Sequence, residues 1–206
     1  MTLNVWLSLL AAVIVISLTP GAGAINTMAN SMRVGWRGAI WGVIGQQVAL
    51  LVHVIIVAAG VGLIVANSPV LFTVIRYAGA AYLAYLGIRS ILTKPVVAGE
   101  AKTQAAITRR AMIWQGFWVN ILNPKAIVFF LAFIPQFVRA DQPQLLQYAI
   151  IIGTCVLVDV CVMWGFFATV AKPFSRFSRT LKGQRVLNTV FGALFVGVAV
   201  LLLFLH

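Results

Sequence analysis

Residues 145–167 read LLQYAIIIGTCVLVDVCVMWGFF, an apolar run of 23 residues that contains one acidic side chain, Asp159. A helix of about 20 apolar residues crosses the hydrocarbon core of a bilayer, so this run predicts a membrane span. A carboxylate at that depth costs at least about 2.5–3.5 kcal/mol and normally marks a water-lined cavity, a proton relay or a buried ion pair. We therefore expect the chemistry to centre on Asp159, the alternative being a carboxylate that only joins helices.

The composition of the 206-residue chain extends this interpretation to the whole molecule. Hydrophobic residues make up 62% of it, charged residues 9%, and the mean hydropathy is +1.04, values that exclude a soluble domain of this size. The formal net charge of +12 would suggest nucleic-acid binding if the basic residues formed one patch, but they are scattered between apolar runs. We predict an all-α polytopic membrane protein whose partner is the lipid bilayer and not a nucleic acid.

Six apolar runs are long enough to be membrane spans. They are 5–28, 38–66, 70–92, 112–138, 145–171 and 186–205. The loop 93–110, which contains PVVAGEAKTQAA, has the composition of a linker. We interpret residues 1–206 as one transmembrane domain of two three-helix halves, 1–92 and 111–206, joined by this cytoplasmic linker.

Basic residues lie mainly in the first, third and fifth loops and the adjoining helix ends. These regions hold Arg33, Arg37, Arg89, Lys94, Lys102, Arg109, Arg110, Lys172, Arg176, Arg179, Lys182 and Arg185, against Arg76 and Arg139 on the opposite side. Because basic loops remain in the cytoplasm, both termini are predicted to lie outside. The two halves then enter the membrane from opposite sides, so any internal repeat is inverted.

The first helix of each half is predicted to be broken. Pro20, Gly21 and Gly23 interrupt the first span, and Pro124 interrupts the fourth. Proline removes a backbone donor and blocks the preceding turn, which leaves peptide groups that lipid cannot satisfy. Breaks at matching positions indicate a transporter's binding site, where freed amides hold a carboxylate and freed carbonyls hold an ammonium. The alternative is a packing kink, since Pro and Gly are common in membrane helices.

Other polar residues are candidates for the same site. Aligning Pro20 with Pro124 places His53 two residues from the position equivalent to Asp159, at nearly the same depth, so a neutral His53 facing an ionised Asp159 could exchange a proton with it. Gln46, seven residues earlier, projects from the same helix face as His53. The alternative makes His53 and Gln46 interhelical hydrogen-bonding groups in a static core. A stripe of small residues near that face predicts close approach of another backbone, at Gly38, Gly42, Gly45 and Ala49.

Asn26 follows the first break by one turn, and Asn123 and Lys125 flank the second, so all three are candidate site residues. For Lys125, a functional role and a side chain that snorkels to the cytoplasmic interface remain equally open. Cys155 and Cys161 are six positions apart on one helix, a rise of about 9 Å that exceeds the roughly 7 Å reach of a disulfide. We interpret both as small apolar packing residues, and we expect no metal or cofactor.

Three segments occur in this order along the chain: SLTPGAGAINTMANSMRVGWRGAIWGVIGQQ, YAGAAYLAYLGIRS and FWVNILNPKAIVFFLAFIPQF. Together they resemble the LysE/RhtB family of bacterial amino-acid exporters, in particular its homoserine and homoserine lactone efflux branch. The family's common Pro-Gly-Pro stands here as Pro20-Gly21-Ala22, a departure that resembles the homoserine branch. The resemblance implies six spans, an inner-membrane location and proton-coupled export of a small amino acid or derivative. The positions that match the family's motifs are Pro20, Gly21, Asn123, Pro124, Lys125 and Asp159.

We therefore expect an exporter in which ionised Asp159 holds the amino group of homoserine, its lactone, threonine or a similar solute until a proton displaces it. The main alternative is a passive channel for small polar solutes. A membrane thiol-electron carrier is less favoured, because no cysteine lies at a proline break, and an enzyme lacks a paired nucleophile and base. Two pairs of small residues suit helix packing or a homodimer equally, Ala80 with Ala84 and Ala193 with Gly197.

Overall fold

A computed structural model describes residues 1–67, 69–94, 107–139, 141–178 and 180–204, and within these ranges the chain forms helices and turns but no β-strand. The helices are α1 (Leu3–Leu18), α2 (Ala22–Asn67), α3 (Pro69–Leu92), α4 (Arg109–Ile121), α5 (Pro124–Val128), α6 (Gln144–Val160), α7 (Ala171–Ser178) and α8 (Leu181–Phe204). Helix α5 continues as a π turn, Phe129–Phe133, and a 3-10 turn, Ile134–Phe137, and α6 continues as a π-helical segment, Cys161–Phe167. The all-α prediction is confirmed for these residues.

Several of the described helices are long and apolar enough to cross a bilayer. Three qualify alone, namely Ala22–Gly60, Gln144–Phe167 and Leu181–Val200. The pair Arg109–Ile121 and Pro124–Phe137, bent by 54°, makes a fourth if it is one broken span, and Leu3–Leu18 is a shorter apolar helix. The chain is therefore a membrane protein, while the count of six spans stays a prediction.

The first predicted break is confirmed. Helix α1 ends at Leu18, the backbone of Thr19 is extended, and α2 begins at Ala22. Pro20 and Gly21 lie within the break, as expected from the missing donor and the clash of proline with the preceding turn. Gly23, which the sequence assigned to the break, instead lies inside the first turn of α2.

The second predicted break is confirmed as well. Helix α4 ends at Ile121, and Asn123 caps α5, with its side-chain oxygen accepting a 3.1 Å hydrogen bond from the Lys125 amide. Pro124 occupies the first position of α5, where proline is best tolerated because that amide has no helical partner.

A third interruption was not predicted. Helix α2 bends sharply at Gly35, whose φ of 81° and ψ of 164° lie outside helical space. Glycine occupies that region without a steric penalty because it has no Cβ. The predicted first and second spans are therefore joined through this bend, and α2 consists of a segment 22–34 and a longer segment 36–67.

The small-residue stripe on α2 brings α4 close, which confirms the expected backbone approach. A Cβ built on Gly45 would overlap the carbonyl oxygen of Ile113, and one on Gly116 would overlap that of Gly42. Gly87 and Gly192 face each other's carbonyl oxygens in the same way where α3 packs along α8. Small residues let membrane helices pack at backbone distance where no hydrophobic effect drives them together.

The cysteines and the other small pairs differ in burial. Both cysteines are free, but Cys155 is buried in the core and Cys161 is exposed. The packing interpretation is therefore correct for Cys155 and wrong for Cys161, which points away from the core. Ala80 is buried, whereas Ala193 and Gly197 are exposed, so the homodimer interpretation applies to the α8 pair and stays a prediction.

Most of the predicted linker, residues 95–106, lies outside the described residues. Its C-terminal end is structured, because Thr108 caps α4 and its hydroxyl accepts a 3.2 Å hydrogen bond from the Ala111 amide. Arg109 and Arg110 belong to the first turn of α4 and not to the loop.

Candidate functional site

The two helix breaks meet at a cavity inside the bundle. Its polar wall is formed by Ser17, Gln46, Asn120, Asn123, Lys125 and Asp159. The larger apolar residues of the wall are Val13, Ile16, Leu50, Phe129, Phe130 and Met163. The space open to the centres of water molecules is about 50 Å³, and since one water needs roughly 10–15 Å³ on that measure, the cavity has room for a few waters.

Asp159 lies in the last turn of α6 and is half-buried at this cavity. Ser17 Oγ in α1 donates a 3.3 Å hydrogen bond to Asp159 Oδ1, and Gln47 Nε2 in α2 donates a 2.6 Å bond to Oδ2. Hydrogen bonds donated to a carboxylate favour its ionised form, so the half-buried charge is supported from two other helices. Asp159 therefore joins three helices and still contributes to the cavity wall.

Lys125 lies in the first turn of α5, directly after the second break, and is buried. Its ammonium donates hydrogen bonds of 2.9 Å to the Ile16 carbonyl and 2.6 Å to the Thr19 carbonyl, at the end of α1. These carbonyls have no helical partner because the break ends their ladder, and a cation there also complements the negative end of the helix dipole. Lys125 thus ties the second break to the first and does not snorkel to an interface. Two of its three N–H groups are used in this way.

Asp159 and Lys125 bring one negative and one positive side chain to the same cavity without pairing directly. Between these two described residues no nitrogen–oxygen distance is 4.0 Å or less. Each charge is instead held by neutral groups: a hydroxyl and an amide for the carboxylate, and two carbonyls for the ammonium. The cavity wall therefore carries one negative and one positive group, a charge pattern complementary to a ligand with both an ammonium and a carboxylate.

Gln46 and Asn120 connect the helices around the cavity. Gln46 Nε2 donates to the Gly23 carbonyl at 3.1 Å and to Thr27 Oγ1 at 3.0 Å, which links the two segments of α2. Asn120, at the end of α4, donates a 2.9 Å hydrogen bond from its Nδ2 to the Gln46 carbonyl. A Cβ on Gly23 would lie 3.1 Å from Gln46 Oε1, so glycine at that position leaves room for the amide.

His53 does not line the Asp159 cavity, contrary to the expectation that the two groups face each other. It lies in a second cavity, where its ring stacks on Phe130 with centroids 5.4 Å apart. Seven helical residues separate His53 from Gln46, a rise of about 10.5 Å that carries the imidazole past the first cavity. The expectation was wrong because alignment of the two prolines gives the depth of a residue along its helix only approximately.

Asn26 is buried but does not line the cavity. It points toward α2's longer segment, where a Cβ on Gly42 would lie 3.5 Å from Asn26 Nδ2, and this nitrogen has no hydrogen-bond partner among the described residues. Of the six predicted site residues, the structure thus brings four to the cavity, Gln46, Asn123, Lys125 and Asp159, and places His53 and Asn26 elsewhere.

The π-helical segment that follows Asp159 is joined to the bend in α2. Ser31 Oγ donates a 2.5 Å bond to the Ala168 carbonyl. Trp36 and Trp164 stack with centroids 4.9 Å apart, and each indole N–H donates to the other's backbone carbonyl at 3.2 and 3.1 Å. π turns are frequent at functional sites, and this one links the turn after Asp159 to the Gly35 bend.

Sequence reasoning missed Gln47 and Ser17, the two residues that contact Asp159. The available signal was two consecutive amides, Gln46-Gln47, inside an apolar run, together with a serine one turn before Pro20. Successive helical residues point about 100° apart, so only one of two adjacent amides can share a face with His53, and the other faces a different helix.

Comparison with known proteins gives consistent results. The LysE type translocator family model matches residues 14–205. The homoserine/homoserine lactone efflux protein of Salmonella typhimurium is 39% identical over 98% of this chain and 97% of its own length. An uncharacterized membrane protein of Vibrio cholerae is 36% identical over 98% of both chains, and the leucine efflux protein of Salmonella choleraesuis is 29% identical over 96% of this chain and 93% of its own. No solved structure matches.

Proposed function

The chain belongs to the LysE type translocator family, and from that premise we propose that it exports small amino acids and their derivatives, such as homoserine, homoserine lactone and threonine, in exchange for protons. The similar proteins named above by function are a homoserine/homoserine lactone efflux protein and a leucine efflux protein. The bacterial inner membrane is the proposed location, with both termini outside.

The observation that carries the proposal is the pair of unlike charges, Asp159 and Lys125, facing one cavity at the meeting point of two broken helices. An amino-acid zwitterion complements this arrangement, with its ammonium at Asp159 and its carboxylate at the Lys125 ammonium, which has one N–H left to donate. A lactone lacks the carboxylate but keeps the ammonium, so Asp159 is the contact that these substrates share.

Competition at Asp159 supplies the coupling. The ionised carboxylate binds the substrate's ammonium when the cavity opens to the cytoplasm, and a proton from outside takes its place when the cavity opens outward. Protonation removes the charge from a low-dielectric site, which lowers the cost of returning the empty carrier. Because one carboxylate cannot hold both cations at full strength, substrate and proton move in opposite directions.

Two inverted three-helix halves are the proposed architecture, with six spans. The helix pairs support it, because α2 packs along α4 while α1 packs along α6, and α3 packs along α8. If the two halves are exchanged, α1 corresponds to α4, α2 to α6 and α3 to α8. The α2–α4 pair then becomes the α6–α1 pair, and the α3–α8 pair becomes itself, as a pseudo-twofold axis requires. The excess of basic residues in the odd loops supports the orientation.

Export from cells tests the proposal. Cells that express the protein are loaded with labelled homoserine, and we expect Asp159→Asn to reduce the initial efflux rate roughly tenfold or more, since the asparagine can neither titrate nor pair with an ammonium at full strength. Membrane levels are measured by immunoblot in the same cells.

The chain offers a matched control, Asp141→Asn. Asp141 is an exposed loop residue, and hydrogen bonds from the Arg139 side chain at 3.0 and 3.1 Å hold the pKa of its carboxyl below the usual value. Its removal should leave efflux within about twofold, because exposed ion pairs contribute little. Proton-dependent efflux that is retained in Asp159→Asn at normal membrane levels contradicts the proposal. If the efflux rate of the native protein does not depend on the pH gradient, the protein is a passive channel.

A further inference from the structure

Phe130 lies between two cavities. Its ring lines the Asp159 cavity on one side and, on the other, a second cavity of about 240 Å³ formed with Ile56, Val57, Ile121, Ile127 and Leu131. Phe130 itself is 5% exposed, so it fills the wall between them. Phe130 is therefore the described side chain whose movement would alter both cavities at once.

His53 is the polar group of the second cavity. It is 6% exposed, its ring lies parallel to Phe130 within 8°, and neither ring nitrogen has a hydrogen-bond partner among the described residues. The backbone of Ala49 and of Ile121 approaches the ring without forming a hydrogen bond of standard geometry. With only these backbone contacts, a ring nitrogen of the neutral imidazole keeps its capacity to accept a proton.

Charged groups near His53 face the other cavity. Every other residue that lines the His53 cavity in the described chain is aliphatic or aromatic. Lys125 from α5 and Asp159 from α6 both line the first cavity, on the far side of Phe130. No adjacent ion pair holds this imidazole in one charge state, but apolar surroundings favour the neutral ring, so protonation of His53 requires water in the cavity.

We propose that Phe130 is a gate and that His53 is the proton-carrying residue between Asp159 and the outer face of the membrane. The inference rests on the proposed antiport function. In the proposed orientation the Gly35 end of α2 is cytoplasmic, so His53, about 10.5 Å further along the helix than Gln46, lies on the outer side of the Asp159 cavity.

The relay moves one proton and no other atom. A ring nitrogen of neutral His53 takes a proton from outside water and forms an imidazolium. When Phe130 turns aside, water enters the joined space and the proton passes through it to the Asp159 carboxylate, which becomes a neutral acid while His53 returns to neutral imidazole. The substrate's ammonium, no longer paired with a carboxylate, is free to leave.

Opening the gate permanently should uncouple the proton from the substrate. We reconstitute purified protein into liposomes that contain a pH-sensitive dye, impose a pH gradient without any substrate, and record the proton flux. Phe130→Ala should raise this flux at least fivefold above the native protein, and Phe130→Ala/His53→Gln should return it to within twofold of the native value. Phe137→Ala is the matched control, because Phe137 is 2% exposed and lines neither cavity.

If Phe130→Ala and Phe130→Ala/His53→Gln show proton leaks of equal size, the histidine relay is overturned. If Phe130→Ala shows no leak, the gate is overturned. Phe130→Leu, a smaller change in volume, replaces the alanine variant if the latter does not reconstitute, with the same expectation at reduced amplitude. In otherwise native protein, His53→Gln should bind homoserine with unchanged affinity and slow proton-driven export at least fivefold; unchanged export overturns the relay. Because the leak assay contains no substrate, a His53-dependent leak stands even if homoserine is not transported.

Discussion

Asp159 accepts hydrogen bonds from two donors that differ in what they can do when the carboxylate is protonated. The Gln47 amide nitrogen only donates, so Oδ2 remains an acceptor in both states. The Ser17 hydroxyl both donates and accepts, so it can turn and receive a hydrogen bond from a proton on Oδ1. The proton is therefore expected at Oδ1, on the Ser17 side.

Substitution of Ser17 tests this assignment. Ser17→Ala leaves a proton on Oδ1 without a hydrogen-bond acceptor, and at about 1 kcal/mol per bond the export rate should fall roughly fivefold. Ser17→Thr keeps the hydroxyl and should restore export to within about twofold. Efflux rates across a series of external pH values make the measurement; equal losses in both variants would instead indicate a packing role.

At the residue scale, the sequence is sufficient to identify charged side chains that lie inside apolar runs. Asp159 and Lys125 were recognisable because a charge inside an apolar run is costly wherever it points. The sequence did not reveal the contacts of Gln47 and Ser17 with Asp159 or the separation of His53 from Asp159. These features depend on the rotation and depth of each helix to within one turn. A register that is uncertain by one residue turns a side chain by about 100°.

Helix ends supply the Lys125 side of the site, while Gln46 from within α2 completes the polar wall. The carbonyls at the end of α1 bind the ammonium of Lys125, and α5 begins with the Asn123 cap and Pro124 beside it. The carbonyls freed by the first break are bound by Lys125 of the second half, whereas the Lys125 amide at the second break is capped within its own half by Asn123. Movement of one break relative to the other therefore requires exchange of these polar contacts, which a substrate's own ammonium and carboxylate are suited to compensate.

Close packing of α2 on α4 fixes the position of one break relative to the other. Substitution of Gly45 tests this packing. Gly45→Ala places a methyl group on the carbonyl oxygen of Ile113, and overpacking of this kind should destabilise the protein by about 1–3 kcal/mol. Gly153→Ala is the control, because no atom lies within 4 Å of a Cβ built there. Melting curves in detergent should show a lower Tm for Gly45→Ala only; equal Tm values would mean that α4 does not approach α2 this closely.

At the element scale, proline and glycine patterns predicted both breaks to within a few residues, because the missing amide acts locally. The bend at Gly35 and the π turns at Phe129–Phe133 and Cys161–Phe167 were not predicted. A single glycine in an apolar run is compatible with a straight helix, and a π turn has no distinct composition. Tertiary contacts, such as the Trp36–Trp164 pair, select these conformations.

Pairing of α1 with α6, α2 with α4 and α3 with α8 makes the first two elements of each half pack against the other half. The composition predicted a membrane protein and the basic residues an orientation, because both depend on sums over many residues. Which helices pair depends on small-residue contacts such as Gly87 with Gly192, which resemble many other glycines in the sequence. Pairing therefore needed the structure.

Proton movement driven by substrate tests the central claim most directly. Purified protein is reconstituted into liposomes that contain homoserine and a pH-sensitive dye, and the liposomes are diluted into homoserine-free buffer of equal pH. With the native protein, homoserine leaving the liposomes should draw protons inward and acidify the lumen, and with Asp159→Asn the acidification should be absent. Homoserine efflux without acidification in the native protein, or equal acidification in Asp159→Asn, would contradict an exchange of substrate and proton at this carboxylate.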